Sequence, residues 1–249
     1  MKKILVRADD LGYCEAVNYG IARAVKSGII RCVGVMANME WAEHGVRLLD
    51  GEPVIFTLHS NISQGRPITD PKLIPSMVEE SGEFRGNQFY RTATADPVVL
   101  EEAVLELEAQ FQRLVELTGR KPYCVERHAV PSENYIKAMQ IVAERNGVPF
   151  MYADPKKPVQ LGNYKLKSIL DGEYFRQTPF EAFKRGALME MAEDECCLMV
   201  THPGYVDTFV YETSFINRRR AEEVAFAINP EVPKWCEENN VQLLTYADL

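Results

Sequence analysis

The chain has 249 residues, of which 28 are lysine or arginine and 36 are aspartate or glutamate, so its formal net charge is −8. Its 46% hydrophobic and 26% charged residues are typical of a folded protein and argue against intrinsic disorder. An acidic balance without basic blocks argues against nucleic acid or an anionic membrane as a partner. No apolar run approaches the roughly 18 residues of a membrane helix. The length fits one domain, which we predict to span residues 1–249.

The amino-terminal segment lacks the pattern of a secretory signal, because Asp9 and Asp10 follow the first apolar run almost at once. Six cysteines are scattered without a C-x-x-C pair, and most lie in or beside apolar runs. We therefore expect a cytoplasmic protein whose cysteines are reduced residues of the core rather than zinc ligands.

Short apolar runs alternate along the chain with amphipathic stretches. Seven of these runs are predicted strands: residues 3–7, 31–36, 53–59, 123–128, 148–152, 196–201 and 241–245. They are mostly continuous rather than alternating, which is typical of parallel strands buried on both faces. Repeated β–α alternation predicts a parallel α/β sheet. Because no nucleotide-binding glycine motif follows the first strand, we favour a barrel of about seven strands over an open, doubly wound sheet.

The segments between the strands contain helices whose ends can be predicted. Three of them have capping signals: Asp96-Pro97 to Gly119, Ser132 to Gly147, and a capping box that begins at Thr178. Two stretches, residues 60–94 and 154–177, have few signals of either kind. Irregular segments of this length in a compact domain are usually binding loops or lids.

Polar residues lie at the carboxyl ends of four predicted strands. They are Asp9 and Asp10 after the first strand, His59 after the third, Glu126-Arg127-His128 after the fourth, and His202 after the sixth. In parallel α/β folds this edge is where sites assemble. A lone histidine or an Asp-Asp turn there is usually structural, but here two carboxylates and three histidines would converge on one rim. The fourth histidine, His44, falls in a predicted helix away from the rim and is interpreted as solvated.

Two neutral imidazoles and one carboxylate suit a divalent metal that keeps open positions for water and substrate. The residues alone assign His59, His128 and one of the two aspartates to such a site. Consecutive residues that leave a strand point in different directions, so one aspartate can bind the metal while the other faces the reacting water. His202 begins a His-Pro-Gly-Tyr turn and either stabilises that turn or joins the site.

Together these segments resemble the YdjC-like carbohydrate deacetylases, the family that includes chitooligosaccharide deacetylase. The segments that carry the resemblance are Ala8-Asp9-Asp10-Leu11-Gly12 with residues 17–21, Thr57-Leu58-His59 with Gly65-Arg66-Pro67, Glu126-Arg127-His128, His202-Pro203-Gly204-Tyr205, Thr213-Ser214 with Arg218, and residues 241–246. They extend over nearly the whole chain. The resemblance implies a distorted (β/α) barrel of the polysaccharide-deacetylase type.

The resemblance also implies roles for the site residues. Asp10, His59 and His128 would hold a divalent metal, with magnesium expected first and zinc as the alternative. Asp9 would be the general base and His202 the general acid. The implied activity is metal-dependent hydrolysis of the acetyl group of an N-acetylated sugar, which is then the small-molecule partner. A homodimer is implied by the resemblance alone.

Three residues depart from the family pattern: Glu126 replaces an aspartate, Val130 a histidine and Thr57 a glycine. The first two changes favour a second hypothesis, a non-catalytic sugar-binding protein built on a degenerate deacetylase. A third hypothesis is a metal-dependent sugar isomerase, although such sites usually have more carboxylates at their strand ends. Arg66, in the first long loop, is interpreted as a solvated residue rather than a substrate contact.

Overall fold

The structure, a computed structural model, describes residues 2–249, in which nine strands and nine α-helices follow one another. The strands are β1 Lys2–Leu11, β2 Cys32–Val35, β3 Ile55–Ser60, β4 Val125–Arg127, β5 Phe150–Met151, β6 Val159–Leu161, β7 Tyr164–Ser168, β8 Glu195–Thr201 and β9 Val241–Leu244. The helices are α1 Glu15–Val25, α2 Ala42–Arg47, α3 Asn87–Thr92, α4 Leu100–Thr118, α5 Glu133–Asn146, α6 Pro179–Ala187, α7 Thr208–Thr213, α8 Arg218–Ala227 and α9 Glu231–Glu238. Within this range, none of the helices has the length and apolar character to cross a membrane.

All nine strands belong to one sheet, in the order β5-β4-β3-β2-β1-β8-β7-β6, with β9 paired to the first half of β1. Every pair is parallel except the β6–β7 hairpin. A small apolar cluster joins Met151 at one end of this order to Leu161 at the other. The sheet is therefore curved into a nearly closed barrel, and the carboxyl ends of its parallel strands share one rim.

The large apolar cluster lies between the sheet and the helices that surround it. It contains the predicted apolar face of α4, including Leu107, Phe111 and Leu114. The six cysteines are free and buried, as predicted.

The predicted fold class is confirmed, and each of the seven predicted strands is present with slightly different bounds. Strands β6 and β7 fall in the stretch 154–177, which the sequence analysis left irregular. Their hairpin turns at Gly162-Asn163, a two-residue pair typical of tight hairpins. The apolar signal is weak because Lys165 and Lys167 of β7 pair with Asp194, just before β8, and with Glu195, its first residue, instead of entering the core.

The helix ends confirm most of the capping predictions, but the assignment of Asp96 as an N-cap is wrong. Helix α4 begins at Leu100, and Asp96 instead accepts hydrogen bonds from Ser132 Oγ and the backbone N–H of Asn134 at the start of α5. Asp96 lies four residues before α4, where no free N–H of that helix reaches it. The Gly119 stop, the Ser132 cap, the Gly147 stop and the Thr178 capping box are all present.

The long segment after β3 is mostly irregular, as predicted, and is held down by two buried polar side chains of α4. Glu106 accepts hydrogen bonds from the backbone N–H groups of Ile68 and Thr69. Gln110 bonds both the N–H and the C=O of Asn61. These bonds satisfy loop backbone that would otherwise be buried without partners, so the segment has a fixed position beside the rim.

Candidate metal centre and active site

Asp9 and Asp10 lie on a β-bulge near the end of β1. Ala8 is opposite Val33 of β2 and Leu11 is opposite Val35, so β1 has one more residue than its partner in this interval. Asp10 takes a left-handed backbone conformation, with φ of +75°. In a regular strand two consecutive side chains would point to opposite faces, whereas the bulge turns both carboxylates into the same cavity.

Three donor atoms meet at the rim. Asp10 Oδ1 lies 3.2 Å from His59 Nε2 and 3.4 Å from His128 Nδ1, and the two ring nitrogens are 3.0 Å apart. Donors bound to one ion at about 2.1 Å stand roughly 3.0 Å apart at octahedral angles and roughly 3.4 Å apart at tetrahedral angles. The triangle formed by Asp10, His59 and His128 therefore has the size that a small divalent ion requires.

A hydrogen bond from Glu126 orients the ring of His59. Glu126 Oε1 is 2.9 Å from His59 Nδ1, and because a carboxylate only accepts, Nδ1 carries the proton in this pair. This leaves Nε2, which faces Asp10 and His128, as the nitrogen available to a metal. Histidine ligands of metals are commonly oriented through their second nitrogen in this way.

Arg7 holds the carboxylate of Asp9 with two hydrogen bonds. Its Nε lies 2.5 Å from Asp9 Oδ1 and its Nη2 lies 2.7 Å from Oδ2, and Nη2 also lies 3.0 Å from Glu126 Oε2. Burial by itself would raise the pKa of Asp9, but the charge of Arg7 and that of His59 outweigh it and lower the pKa. Asp9 is therefore ionised at neutral pH and fixed in orientation.

A second buried arginine pairs with Asp10. Arg220 of α8 is only 1% exposed, and its Nη2 donates to Asp10 Oδ2 at 2.7 Å. Burial would raise the pKa of Asp10, but the charge of Arg220 and the adjacent rings of His128 and His59 hold the pKa well below its usual value. Because Arg220 occupies Oδ2, the ion that the triangle would hold meets Oδ1, which is buried and makes no hydrogen bond of good geometry.

The charges around the cavity leave room for a cation. Two guanidinium groups, those of Arg7 and Arg220, face three carboxylates, those of Asp9, Asp10 and Glu126. The carboxylates therefore exceed the guanidinium groups by one negative charge. Burial alone would lower the pKa of His59, but Glu126 and Asp9 raise it well above its usual value. In the metal-free protein a proton on His59 thus supplies the missing positive charge, and a bound divalent ion would replace it.

The departures from the family pattern fit this network. Thr57 Oγ1 donates to Glu126 Oε1 at 3.2 Å, so the two replacements contact each other. Glu126 reaches His59 and Arg7 because Gly34 of β2, two strands away from β4 in the sheet, has no side chain in the way. Val130 is fully buried in the large apolar cluster and contributes no polar group to the cavity.

Gly34→Ala is expected to lower turnover and to destabilise the fold. An added Cβ would lie 2.6 Å from Glu126 Oε1 and 2.9 Å from Asp9 Oδ1, and neither carboxylate can move without breaking its bond to Arg7. Overpacking of this kind costs about 1–3 kcal/mol, measurable as a lower free energy of unfolding. Gly172→Ala is the control, since a Cβ there meets nothing within 4 Å. Wild-type turnover in Gly34→Ala would show that the two carboxylates are not held as described.

His202 lies on the same cavity, directly after β8. Its backbone N–H donates to the buried Glu223 of α8, which also accepts from Tyr174 Oη at 2.5 Å and from Arg219 Nε at 2.9 Å. Its Nδ1 is buried without a hydrogen-bond partner. Helix α8 therefore fixes both His202, through Glu223, and Asp10, through Arg220.

The two residues placed outside the site by the sequence analysis do lie outside it. Arg66 is exposed, with its Nε 4.0 Å from Glu83, and does not line the cavity. His44 lies in α2 as predicted, but its interpretation as a solvated residue is wrong. The His44 ring is half-buried, and its Nδ1 lies 3.2 Å from Nδ2 of Asn18. The other side-chain atom of Asn18, Oδ1, accepts a hydrogen bond from the N–H of Gly12, just after the bulge.

Arg7, Arg220 and Glu223 also belong to the site, although the sequence pattern does not predict them there. Arg7 had a signal, since it ends a continuous apolar run and a buried arginine must find carboxylates. Arg220 had little signal, because it stands in a run of three arginines whose first member is almost fully exposed.

Known proteins match nearly the whole chain. A family model described as "YdjC-like protein" matches residues 3–238. Carbohydrate deacetylase 2 of Listeria innocua is 32% identical over 253 aligned positions, which cover 99% of this chain and 98% of that protein. Chitooligosaccharide deacetylase of Escherichia fergusonii is 26% identical over 88% of each chain.

Solved structures show the same fold. A protein of Enterococcus faecalis V583 superposes with a TM-score of 0.77 at 21% identity, covering 99% of this chain and 98% of the other. A family 4 carbohydrate esterase from Streptomyces lividans, solved in complex with acetate, superposes with a TM-score of 0.56 at 9% identity, covering 98% and 92%. At these identities the likeness concerns the fold alone.

Proposed function

The chain belongs to the YdjC-like protein family, and from that premise we propose that it is a divalent-metal-dependent hydrolase that removes the acetyl group of an N-acetylated sugar. The curated relatives are named as carbohydrate and chitooligosaccharide deacetylases, which supports the reaction class. The observation that carries the proposal is the triangle of Asp10, His59 and His128 beside the ionised Asp9.

Asp10, His59 and His128 would hold the metal, and their fit rests on the donor spacing and on the buried Oδ1 of Asp10. A divalent ion in this place supplies Lewis-acid polarisation of the acyl oxygen and makes nearby water more acidic. The two imidazole nitrogens are donors that zinc prefers, whereas magnesium prefers oxygen ligands only. The family resemblance predicts magnesium, so binding of both ions has to be compared.

Asp9 is the proposed general base. Arg7 takes one lone-pair site on each carboxylate oxygen, and a carboxylate has about four such sites, so Asp9 can still accept a proton. It would take this proton from the water that attacks the acyl carbon. Because its pKa is lowered, Asp9 stays ionised into the acid range, and loss of activity on acidification would come from protonation of the proposed metal ligands His59 and His128.

His202 is the proposed general acid. The C–N bond of the acetamide breaks with its electron pair on nitrogen, and His202 would give that nitrogen a proton, so that the products are acetate and an amino sugar. An unpaired buried nitrogen such as its Nδ1 costs about 1–3 kcal/mol. Contact with a bound molecule in the cavity would remove this cost.

The two replacements that favoured a binding-only protein leave the proposed machinery intact. Glu126 bonds His59 and Arg7, and Val130 lies in the core. A sugar isomerase would need further carboxylate ligands. Among the described residues that line the cavity, the carboxylates besides Asp10 are Asp9 and Glu126, and both already pair with Arg7.

The experiment is a coupled assay for acetate release from N-acetylated oligosaccharides, with the protein loaded with zinc or magnesium and again after chelation. We expect the protein to release acetate, to stop doing so after chelation, and to regain this activity when a divalent ion is added. Isomer formation without acetate would support the isomerase hypothesis, and binding without either product the degenerate binding protein.

Metal binding at pH 7 is expected to release a proton from His59. Its raised pKa leaves it protonated in the metal-free protein, whereas a metal ligand must be neutral, so affinity should rise with pH. Isothermal titration calorimetry of zinc in buffers of different ionisation enthalpy should show about one proton released per ion. Glu126→Gln weakens the attraction that raises the His59 pKa and should reduce that number. An unchanged number in this variant would contradict the account of His59.

A further inference from the structure

The mouth of the cavity carries exposed aromatic side chains on one flank. Phe175, in the segment after β7, and Phe215, in the segment after α7, both line the cavity and are 50% and 78% exposed. Large apolar rings that are exposed together at the mouth of a cavity are candidate ligand contacts.

Phe175 is held in place by its neighbours. The adjacent Tyr174 is buried, and its hydroxyl donates to Glu223. Arg219 donates to the backbone oxygens of Tyr174 and Gln177 on either side of Phe175. Phe175 is therefore exposed from a backbone segment that is fixed in position.

The other flank of the cavity is mostly polar. Asn87 of α3, Gln64 and Arg127 line it, and they come from segments that follow β3 and from β4. Tyr152 also lines this flank, with the Arg127 guanidinium over its ring. In the sheet order, β3 and β4 lie on one side of β1, and β7 and β8 on the other. Asn87 Oδ1 is buried without a hydrogen-bond partner. The cavity thus offers aromatic faces from one side and amide and guanidinium groups from the other.

A pyranose ring matches this arrangement, because its faces carry C–H bonds and its edge carries hydroxyl groups. Aromatic rings pack on such faces, and amides and guanidinium groups bond the hydroxyls. The cavity has a volume of about 290 Å³. This is at the lower limit of the roughly 300–1,000 Å³ of small-molecule sites. One sugar unit therefore fills its interior, and a second unit would extend over the mouth.

We propose that Phe175 and Phe215 form a second sugar subsite, next to the unit whose acetyl group is removed. The inference rests on the proposed function for the identity of the first unit. It goes beyond that function by assigning two residues to recognition of the neighbouring unit.

The test compares Phe175→Ala, Phe215→Ala and the double variant with Tyr211→Ala. Tyr211 is the matched control, since it is 67% exposed on α7 and does not line the cavity. The substrates are N-acetylglucosamine and its β1,4-linked dimer and trimer. The double variant should lose about tenfold in kcat/KM for the dimer and trimer, equal to about 1.4 kcal/mol, and little for the monosaccharide. Tyr211→Ala should leave all three values unchanged.

Calorimetric binding of the same sugars, measured with these changes added to Asp9→Asn, makes the test independent of turnover. If no sugar releases acetate, the proposed function fails, but a selective loss of dimer and trimer binding still supports the subsite. Equal losses for monosaccharide and dimer, or no loss, would overturn it. The proposal would also be overturned if the phenylalanine variants bound sugars like the wild type but no longer formed a dimer in sedimentation. The aromatic flank would then be an interface between two copies.

Discussion

Replacement of Asp9 by asparagine is expected to reduce acetate release by about 10²- to 10⁴-fold, the usual contribution of a general base. The amide cannot accept the proton that the water must lose. Metal binding should be largely kept, because the three proposed donor atoms belong to Asp10, His59 and His128 and not to Asp9. Arg7 keeps its ion pair with Glu126, so the barrel is expected to fold.

The measurements are the rate of acetate release, zinc binding by calorimetry, and circular dichroism to check the fold. Asp194→Asn is a control, since it removes an exposed carboxylate that pairs with Lys165 on the surface, away from the cavity. It should leave turnover unchanged. Full activity in Asp9→Asn would exclude Asp9 as the base, and loss of zinc binding in that variant would make it a ligand instead.

His128→Ala is expected to weaken zinc binding by more than a hundredfold and to abolish turnover. Loss of a residue that merely orients a ligand costs about 10–100-fold in metal affinity, and loss of a ligand should cost more. The side chain contacts Asp10 and His59 at the rim and lies at the border of the cavity, so its removal should leave the core packing unchanged.

His44→Ala is the matched control for this experiment. It removes a histidine of the same chain that contacts Asn18, Tyr19 and Trp41 and does not line the cavity. Zinc titration of both variants, with acetate release, decides the outcome. Wild-type affinity in His128→Ala would remove it from the proposed metal centre.

Much of the candidate site could be predicted because its residues interrupt apolar runs. His59 is next to last in β3, His202 directly follows β8, and Asp9 and Asp10 lie near the end of β1. Each comes after a mostly apolar run. In a parallel sheet such interruptions share one rim, so their proximity follows from strand direction alone. The structure brings Asp10, His59 and His128 together and places Asp9 and His202 on the same cavity.

The contacts that tune these residues could not be predicted, because they depend on tertiary partners. Nothing near Arg220 in the sequence indicates that it pairs with Asp10, which is 210 positions away. The bulge at Asp10 is equally hidden, since it depends on the register between β1 and β2. Without the bulge, alternation along the strand would point one of the two aspartates away from the cavity.

Strand β7 and the start of α4 were predicted less accurately, because both depend on contacts outside their own segments. Strand β7 stabilises its solvent side through pairs such as Lys165 with Asp194, so hydrophobic periodicity gives a weak signal there. Asp96 was a plausible cap by residue type, but the nearest free N–H groups in space belong to α5. Magnesium and a homodimer stay predictions of the resemblance, and a cytoplasmic location stays a prediction from the amino-terminal segment and the cysteine pattern.

The most direct test of the central claim is a crystal structure of the zinc-loaded protein, with the ion located by anomalous scattering. We expect one ion at about 2.0–2.2 Å from Asp10 Oδ1, His59 Nε2 and His128 Nδ1, with Asp9 unbound and still paired to Arg7. An ion bound instead by Asp9 and Glu126, or acetate release by protein that holds no ion at this triangle, would contradict the account.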